Sequence, residues 1–277
     1  MRRHGQRWIA GGAVLVLVLV AGWWIARNAF VETVAVPGTR LVLKTQLGDD
    51  GHSLEVARRG AVAADRWLRK AFGHPLQEET AIRLARTANC VWIDGFGDQS
   101  TAWSGGDGIC VYTSRPLWRS MREREGGRDA VELIAHEVIH EAQRELGCVD
   151  EPDRQRFRWL MEGAAVYGAR EALIATGERR AEETEASIRE GGGFRRDLVA
   201  LELFETRNGD DAAYQLWHRA VRLLADEHGG PGALRQFCAE VGQGRPWRSA
   251  FETTFGLTTV AFYDEFDRGR VMDGSSR

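Results

Sequence analysis

The stretch DAVELIAHEVIHEAQRELG, residues 129–147, constrains this chain more than any other. Wound as a helix, it is apolar around most of its circumference through Val131, Ile134, Ala135, Val138, Ile139 and Ala142. A surface helix carries a single apolar stripe, so a helix like this one must be enclosed by other elements on most sides. Three polar residues interrupt it. His136 and His140 lie four apart, on one face, where both imidazoles can reach a single ion. Glu137 is rotated by about 100° from His136, beside that ion rather than on it. Two neutral nitrogen ligands on a rigid frame, with a carboxylate base next to an open position, are what metal-assisted hydrolysis requires.

A third ligand separates a metal centre from a polar patch. In FRWLMEGAAVYGAR, residues 157–170, Glu162 stands alone among Trp159, Leu160, Met161, Ala164, Ala165 and Val166. Burying a lone carboxylate there is costly unless something pairs with it, and a divalent ion supplies that partner. His136, His140 and Glu162 therefore read as a two-His, one-carboxylate zinc site with Glu137 as its base. His52, His74, His218 and His228 have no partners at ligand spacing and read as surface or capping residues.

The N-terminus has a different character. After basic MRRHGQR, Trp8 to Ala26 runs nineteen residues without a charge. That length nearly crosses a ~30 Å hydrocarbon core, and Trp8 and Trp23-Trp24 sit where interfacial aromatics belong. The run predicts a transmembrane anchor over residues 1–30, with a cleaved signal peptide as the alternative. Arg2, Arg3 and Arg7 against a lone Arg27 keep the N-terminus cytoplasmic, which makes the membrane protein single-pass and exports the domain. Residues 31–39, carrying Pro37-Gly38, read as a linker. The net charge of -3 argues against a nucleic-acid partner.

Beyond the linker, RLVLKTQ, TAIRLAR, NCVWIDG and GICVYTS read as strands, and FGDQSTAWSGGDG as a loop. HSLEVARRGAVAADRWLRKAFG is an amphipathic helix stopped by Gly73. From Arg128 onward the pattern is helical, in segments near 128–147, 153–176, 178–190, 196–206, 210–229, 231–242, 246–255 and 258–270. The four cysteines show no CxxC spacing. In an oxidising compartment they predict disulfides. Cys90 and Cys110 flank a Gly-rich turn as cross-strand neighbours, and Cys148–Cys238 is the remaining pair. Free buried thiols are the alternative.

HEVIH followed by Glu162 in WLMEGAAVY resembles the gluzincin zinc metallopeptidases, in particular their peptidase-MA-like branch, over residues 40–270. The order of elements predicts an α+β fold, with an N-terminal transmembrane helix, a small mixed β-sheet with a helix, then a mostly α-helical C-terminal half that the resemblance implies is zincin-like. The resemblance also implies that His136, His140 and Glu162 bind Zn2+ and that Glu137 is the general base and proton shuttle. Tyr214 stands about where such families place a phenol that stabilises the oxyanion, its alternative being a core tyrosine; Tyr167 is a weaker candidate. GICVYTS resembles the edge strand along which an extended peptide is laid. Two departures stand out. Thermolysin-like members brace a zinc histidine with an Asp four residues beyond the ligand Glu, where this chain has Val166, which leaves Glu141 as a candidate brace or a solvent-facing acid. Met161 replaces the Asn of the aminopeptidases, and no GxMEN-like loop is present, which favours endopeptidase action or narrow specificity.

These features predict an inner-membrane-anchored, extracytoplasmic (periplasmic) zinc metallopeptidase acting on peptide or protein substrates. The alternatives are a catalytically silent zinc-binding scaffold of the cell envelope, and an envelope interaction protein that docks through its helical half.

Overall fold

Five short strands build one mixed sheet in the order β1-β2-β3-β5-β4. They are β1 (Phe30–Ala35), β2 (Leu41–Gln46), β3 (Thr80–Ala85), β4 (Ala102–Gly105) and β5 (Gly108–Tyr112). The computed structural model describes residues 18–19, 22, 30–46, 51–86, 101–105, 108–148, 157–190 and 211–274. β2, β3 and β5 run parallel, while β1 and β4 are antiparallel to β2 and β5 at the two edges. Five of the six residues of β2 and of β3 are buried, as expected for parallel strands covered on both faces.

The helices are α1 (Gly51–Trp67), α2 (Pro116–Glu123), α3 (Arg128–Glu145), α4 (Arg158–Thr176), α5 (Ala181–Glu190), α6 (Asp211–Glu227), α7 (Gly230–Gly242), α8 (Trp247–Phe255) and α9 (Thr259–Gly274). A wide helical turn, Leu68–Phe72, extends α1 and ends at Gly73 in the left-handed conformation (φ 77°), as its position after the last apolar residue predicts. α3 is the buried helix anticipated from its composition. It lies between α1, α4 and the edge strand β4, with Val131, Ile134, Ala135, Val138, Ile139 and Ala142 all at 0% exposure. Gly60 of α1 sets that approach: a Cβ there would stand 2.7 Å from the Val131 carbonyl oxygen. Cys148, just past α3, is disulfide-bonded to Cys238 of α7, ninety residues on, and ties the two helical groups together.

Several expectations are corrected. No helix among the described residues is long and apolar enough to cross a membrane, so the N-terminal transmembrane helix is withdrawn from the fold. Of the apolar run 8–26, only Val18, Leu19 and Gly22 are among the described residues. β1 forms within the stretch read as a linker, because Phe30–Ala35 finds backbone partners along β2 that local sequence does not reveal. β4 lies inside the stretch read as a loop; it pairs with β5 although Ala102, Ser104 and Gly105 are poor strand formers. The GICVYTS strand, β5, is consequently interior, and β4 is the edge nearest α3. NCVWIDG, the segment 196–206 and Cys90 of the expected Cys90–Cys110 pair lie outside the described residues; Cys110 itself is disulfide-bonded.

Candidate metal centre

Ten of the eighteen residues of α3 are buried, and Glu132, His136 and His140, spaced four apart on its partly exposed side, face residues of α4 and α6. His136 and His140 meet edge-to-face, ring centroids 4.5 Å apart, with their Nε2 atoms 2.9 Å from each other. Glu162, in the second turn of α4, brings Oε2 to 3.3 Å from both nitrogens. Among the described residues this is the one grouping of three or more His, Cys, Asp or Glu whose ligand atoms converge. The three side chains are 12–15% exposed, largely buried yet reachable from solvent.

The donor set fits zinc. Ligand atoms 2.9–3.3 Å apart approach the roughly 3.3 Å edge of a tetrahedron around an ion at ~2.0–2.1 Å from each ligand. Two imidazoles and one carboxylate with a fourth side open is the donor pattern of catalytic rather than structural zinc. Electrostatics agree. Burial alone would push the Glu162 carboxyl upward, but the charge of His140 and hydrogen bonds from both histidines outweigh it and hold Glu162 well below the usual carboxylate range. Burial would lower His140, yet the Glu162 charge and hydrogen bond, helped by Glu137 and Gln143, raise it to about 9. Without an ion the carboxylate is thus matched by a protonated imidazole, a positive charge where a metal's charge would be.

Glu137 is 6% exposed, and its charge acts on both His140 and Tyr214, which places it beside the converging ligand atoms. Tyr214 arrives from α6. Its ring lies 6.2 Å from that of His136 and packs edge-on against Trp217 at 5.0 Å. Burial, then the charges of Glu162 and Glu137, raise its phenol above the ordinary value, so it stays a neutral donor at physiological pH. Gly163, next to the ligand glutamate, lets α6 come this close: a Cβ there would sit 2.7 Å from the Trp217 carbonyl oxygen.

Two residues at the site escaped sequence reasoning. Arg158, one turn before Glu162, places Nε 3.4 Å from Glu162 Oε1 and hydrogen-bonds Tyr214. Gln143, three residues after His140, has Oε1 2.7 Å from His140 Nδ1 and donates from Nε2 to the Met161 carbonyl oxygen at 3.0 Å. The signal for each was its spacing of three or four from a ligand on the same helix face. Glu141 is fully buried and accepts from Arg144 Nε and Nη2 at 3.0 and 2.8 Å, so it does not face solvent, and its hydrogen bonds go to Arg144 rather than to His136 or His140. Tyr167 packs edge-on against Trp67 and near His218, and its charged neighbours are Glu171, Asp226 and Arg222 rather than the ligands. His218, read as a surface residue, is fully buried, with Nδ1 2.6 Å from Arg170 Nη1. His52, His74 and His228 contact the Arg122 carbonyl oxygen, Glu145 and Glu265 respectively.

No protein-family model and no curated protein matches the chain. Among solved structures, it is similar to the M1 zinc metallopeptidase from Deinococcus radiodurans, at 17% identity and a TM-score of 0.49, over 87% of this chain and 50% of that one. A mutant of the same enzyme matches at 15% identity and a TM-score of 0.46, over 88% of this chain and 52% of the other. The chain spans about half the length of these structures.

Proposed function

We propose that this chain is a zinc-dependent peptidase whose site is His136, His140 and Glu162 with Glu137 and Tyr214. The observation that carries the reading is the convergence of two imidazole nitrogens and a desolvated carboxylate oxygen within 3.3 Å of one another, with the charge of a second carboxylate, Glu137, acting on His140. His136 Nε2, His140 Nε2 and Glu162 Oε2 would hold the ion. When bound, zinc supplies Lewis-acid polarisation of the scissile carbonyl and acidifies water toward neutral pH.

The remaining work falls to the chain's own groups. Glu137 accepts the proton of the attacking water on a carboxylate oxygen and returns it to the departing amine nitrogen. Tyr214, its hydroxyl held by Arg158, donates a hydrogen bond to the oxygen that gains negative charge. Among the described residues β4 is the sheet's edge strand beside α3, so the substrate is an extended peptide segment that pairs its backbone there. Residence in an oxidising compartment outside the cytoplasm is supported by the Cys148–Cys238 disulfide.

The test is zinc content by mass spectrometry on the full chain, paired with hydrolysis of an unstructured protein such as casein. One zinc per chain, lost in Glu162→Ala and kept in Glu137→Ala, with hydrolysis lost in both, supports the reading. Zinc bound without hydrolysis in the wild type would leave a silent binding scaffold. A folded wild type that takes up no zinc excludes the peptidase.

A further inference from the structure

We infer that Gln143 is the residue that positions His140 for metal binding, in the role that the chain's Val166 cannot fill. The inference rests on the reading of the site as a metal centre. It starts from one unambiguous atom. The Met161 carbonyl oxygen can only accept a hydrogen bond, so the group 3.0 Å from it must be the NH2 end of the Gln143 amide. That fixes Gln143 Oε1 as the atom facing His140 Nδ1 at 2.7 Å. An amide oxygen also only accepts, so Nδ1 carries a proton and donates it. In the neutral ring the lone pair is then on Nε2, the atom that faces His136 and Glu162. Gln143 thereby selects the tautomer and the ring orientation that a metal ligand needs.

The same side chain does a second job. Met161 immediately precedes Glu162, so the amide links the helix carrying both histidines to the backbone beside the third ligand. At 1% exposure, water cannot readily replace either bond. Removing the amide leaves the buried His140 N–H without its acceptor and takes one of the donors away from the Met161 carbonyl. The neighbouring carboxylate, Glu141, does not compete for the role, because Arg144 holds it. A neutral brace also differs in kind from a carboxylate brace: it orients the imidazole without adding negative charge, so it does not increase ligand basicity as a carboxylate would.

The experiment compares wild type, Gln143→Leu and Gln143→Glu in the full chain, with folding checked by circular dichroism. Zinc dissociation constants come from competition with a chelator, and the His140 ring is followed by 1H–15N NMR in the zinc-loaded protein. Gln143→Leu is expected to bind zinc about 10–100-fold more weakly and to lose the slowly exchanging Nδ1–H signal. Gln143→Glu keeps an acceptor for Nδ1 but not the donor for Met161, so the signal persists while affinity falls between the other two. A folded Gln143→Leu that binds zinc within twofold of wild type overturns the inference and leaves the metal centre standing. Should Gln143→Leu not fold, loss of the Nδ1–H signal in Gln143→Glu overturns it instead. A wild type that binds no zinc overturns both readings together.

Discussion

His140 Nε2 lies 3.3 Å from Glu162 Oε2 and 2.9 Å from His136 Nε2, so a proton on that nitrogen stands where the three ligand atoms converge. Proton and metal ion are competitors for one place. With His140 raised to about 9 against burial, chiefly by the Glu162 charge, the metal-free site keeps its proton through neutral pH.

This competition predicts opposite pH dependences for the metal-free and zinc-bound protein. His140 has a folded value above its ordinary 6.5, so its stabilisation is complete below 6.5 and is lost as pH rises through about 9. Glu162, held below its ordinary 4.5, contributes above that pH and loses its contribution as pH falls toward its depressed value. The melting temperature of the metal-free protein should therefore fall between pH 6.5 and 9.5. Zinc affinity should rise about tenfold per pH unit up to about 9, because the proton must leave first. Calorimetry at pH 7 in buffers of different ionisation enthalpy should report about one proton released per zinc. A binding enthalpy independent of buffer excludes the competition.

Glu137→Gln separates binding from chemistry. The side chain keeps its shape and the ligands are untouched, so zinc should remain at one per chain. Without a base, kcat should drop by about 10²–10⁴-fold. Unchanged turnover would require another residue to take the proton.

Tyr214→Phe removes one donor and leaves the ring against His136 and Trp217. If the hydroxyl acts on the developing oxyanion, kcat should fall by about 10²–10³-fold with KM within a fewfold of wild type. A change confined to KM would make Tyr214 a substrate-binding residue and nothing more.

The convergence of His136, His140 and Glu162 was legible from sequence because both signals are local. A helix puts His136 and His140 on one face by spacing alone, and an acid amid Trp159, Leu160 and Met161 announces an unusual partner. What escaped depends on contacts between distant segments. Gln143 gains its role from the Met161 carbonyl of another helix, and β4 exists because β5 pairs with it. His218 is buried because Arg170 reaches it from α4, which no spacing around residue 218 reveals. The parallel strands were visible as apolar runs, whereas both edge strands were missed, edges being where composition is least distinctive.

Gly163→Ala tests how the site is held open to α6. The added methyl would stand 2.7 Å from the Trp217 carbonyl oxygen, a backbone atom that cannot swing away. The helices must separate, at a cost of about 1–3 kcal/mol. Tyr214, one turn before Trp217, moves with α6. Turnover should fall further than zinc affinity, since the ligands belong to α3 and α4. Equal stability in urea unfolding would show that the α4–α6 approach is not tight.

The disulfide should matter to the site as well as to the fold. Cys148–Cys238 closes a loop of ninety residues. A cross-link of that span restricts the unfolded chain by roughly 4–5 kcal/mol. It also acts locally, because Cys148 Sγ touches Met161 Sδ at 3.1 Å, and Met161 precedes the ligand Glu162. Replacing both cysteines by alanine, or reducing the protein, should lower the unfolding free energy by about that amount. Zinc affinity should weaken too, as Cys148, which touches Met161, loses its anchor to α7. Unfolding in urea with and without reductant, followed by chelator competition on the same samples, measures both effects. Stability lost with affinity intact would confine the disulfide to the fold and leave the Gln143 amide as the link that holds Glu162 against the histidines.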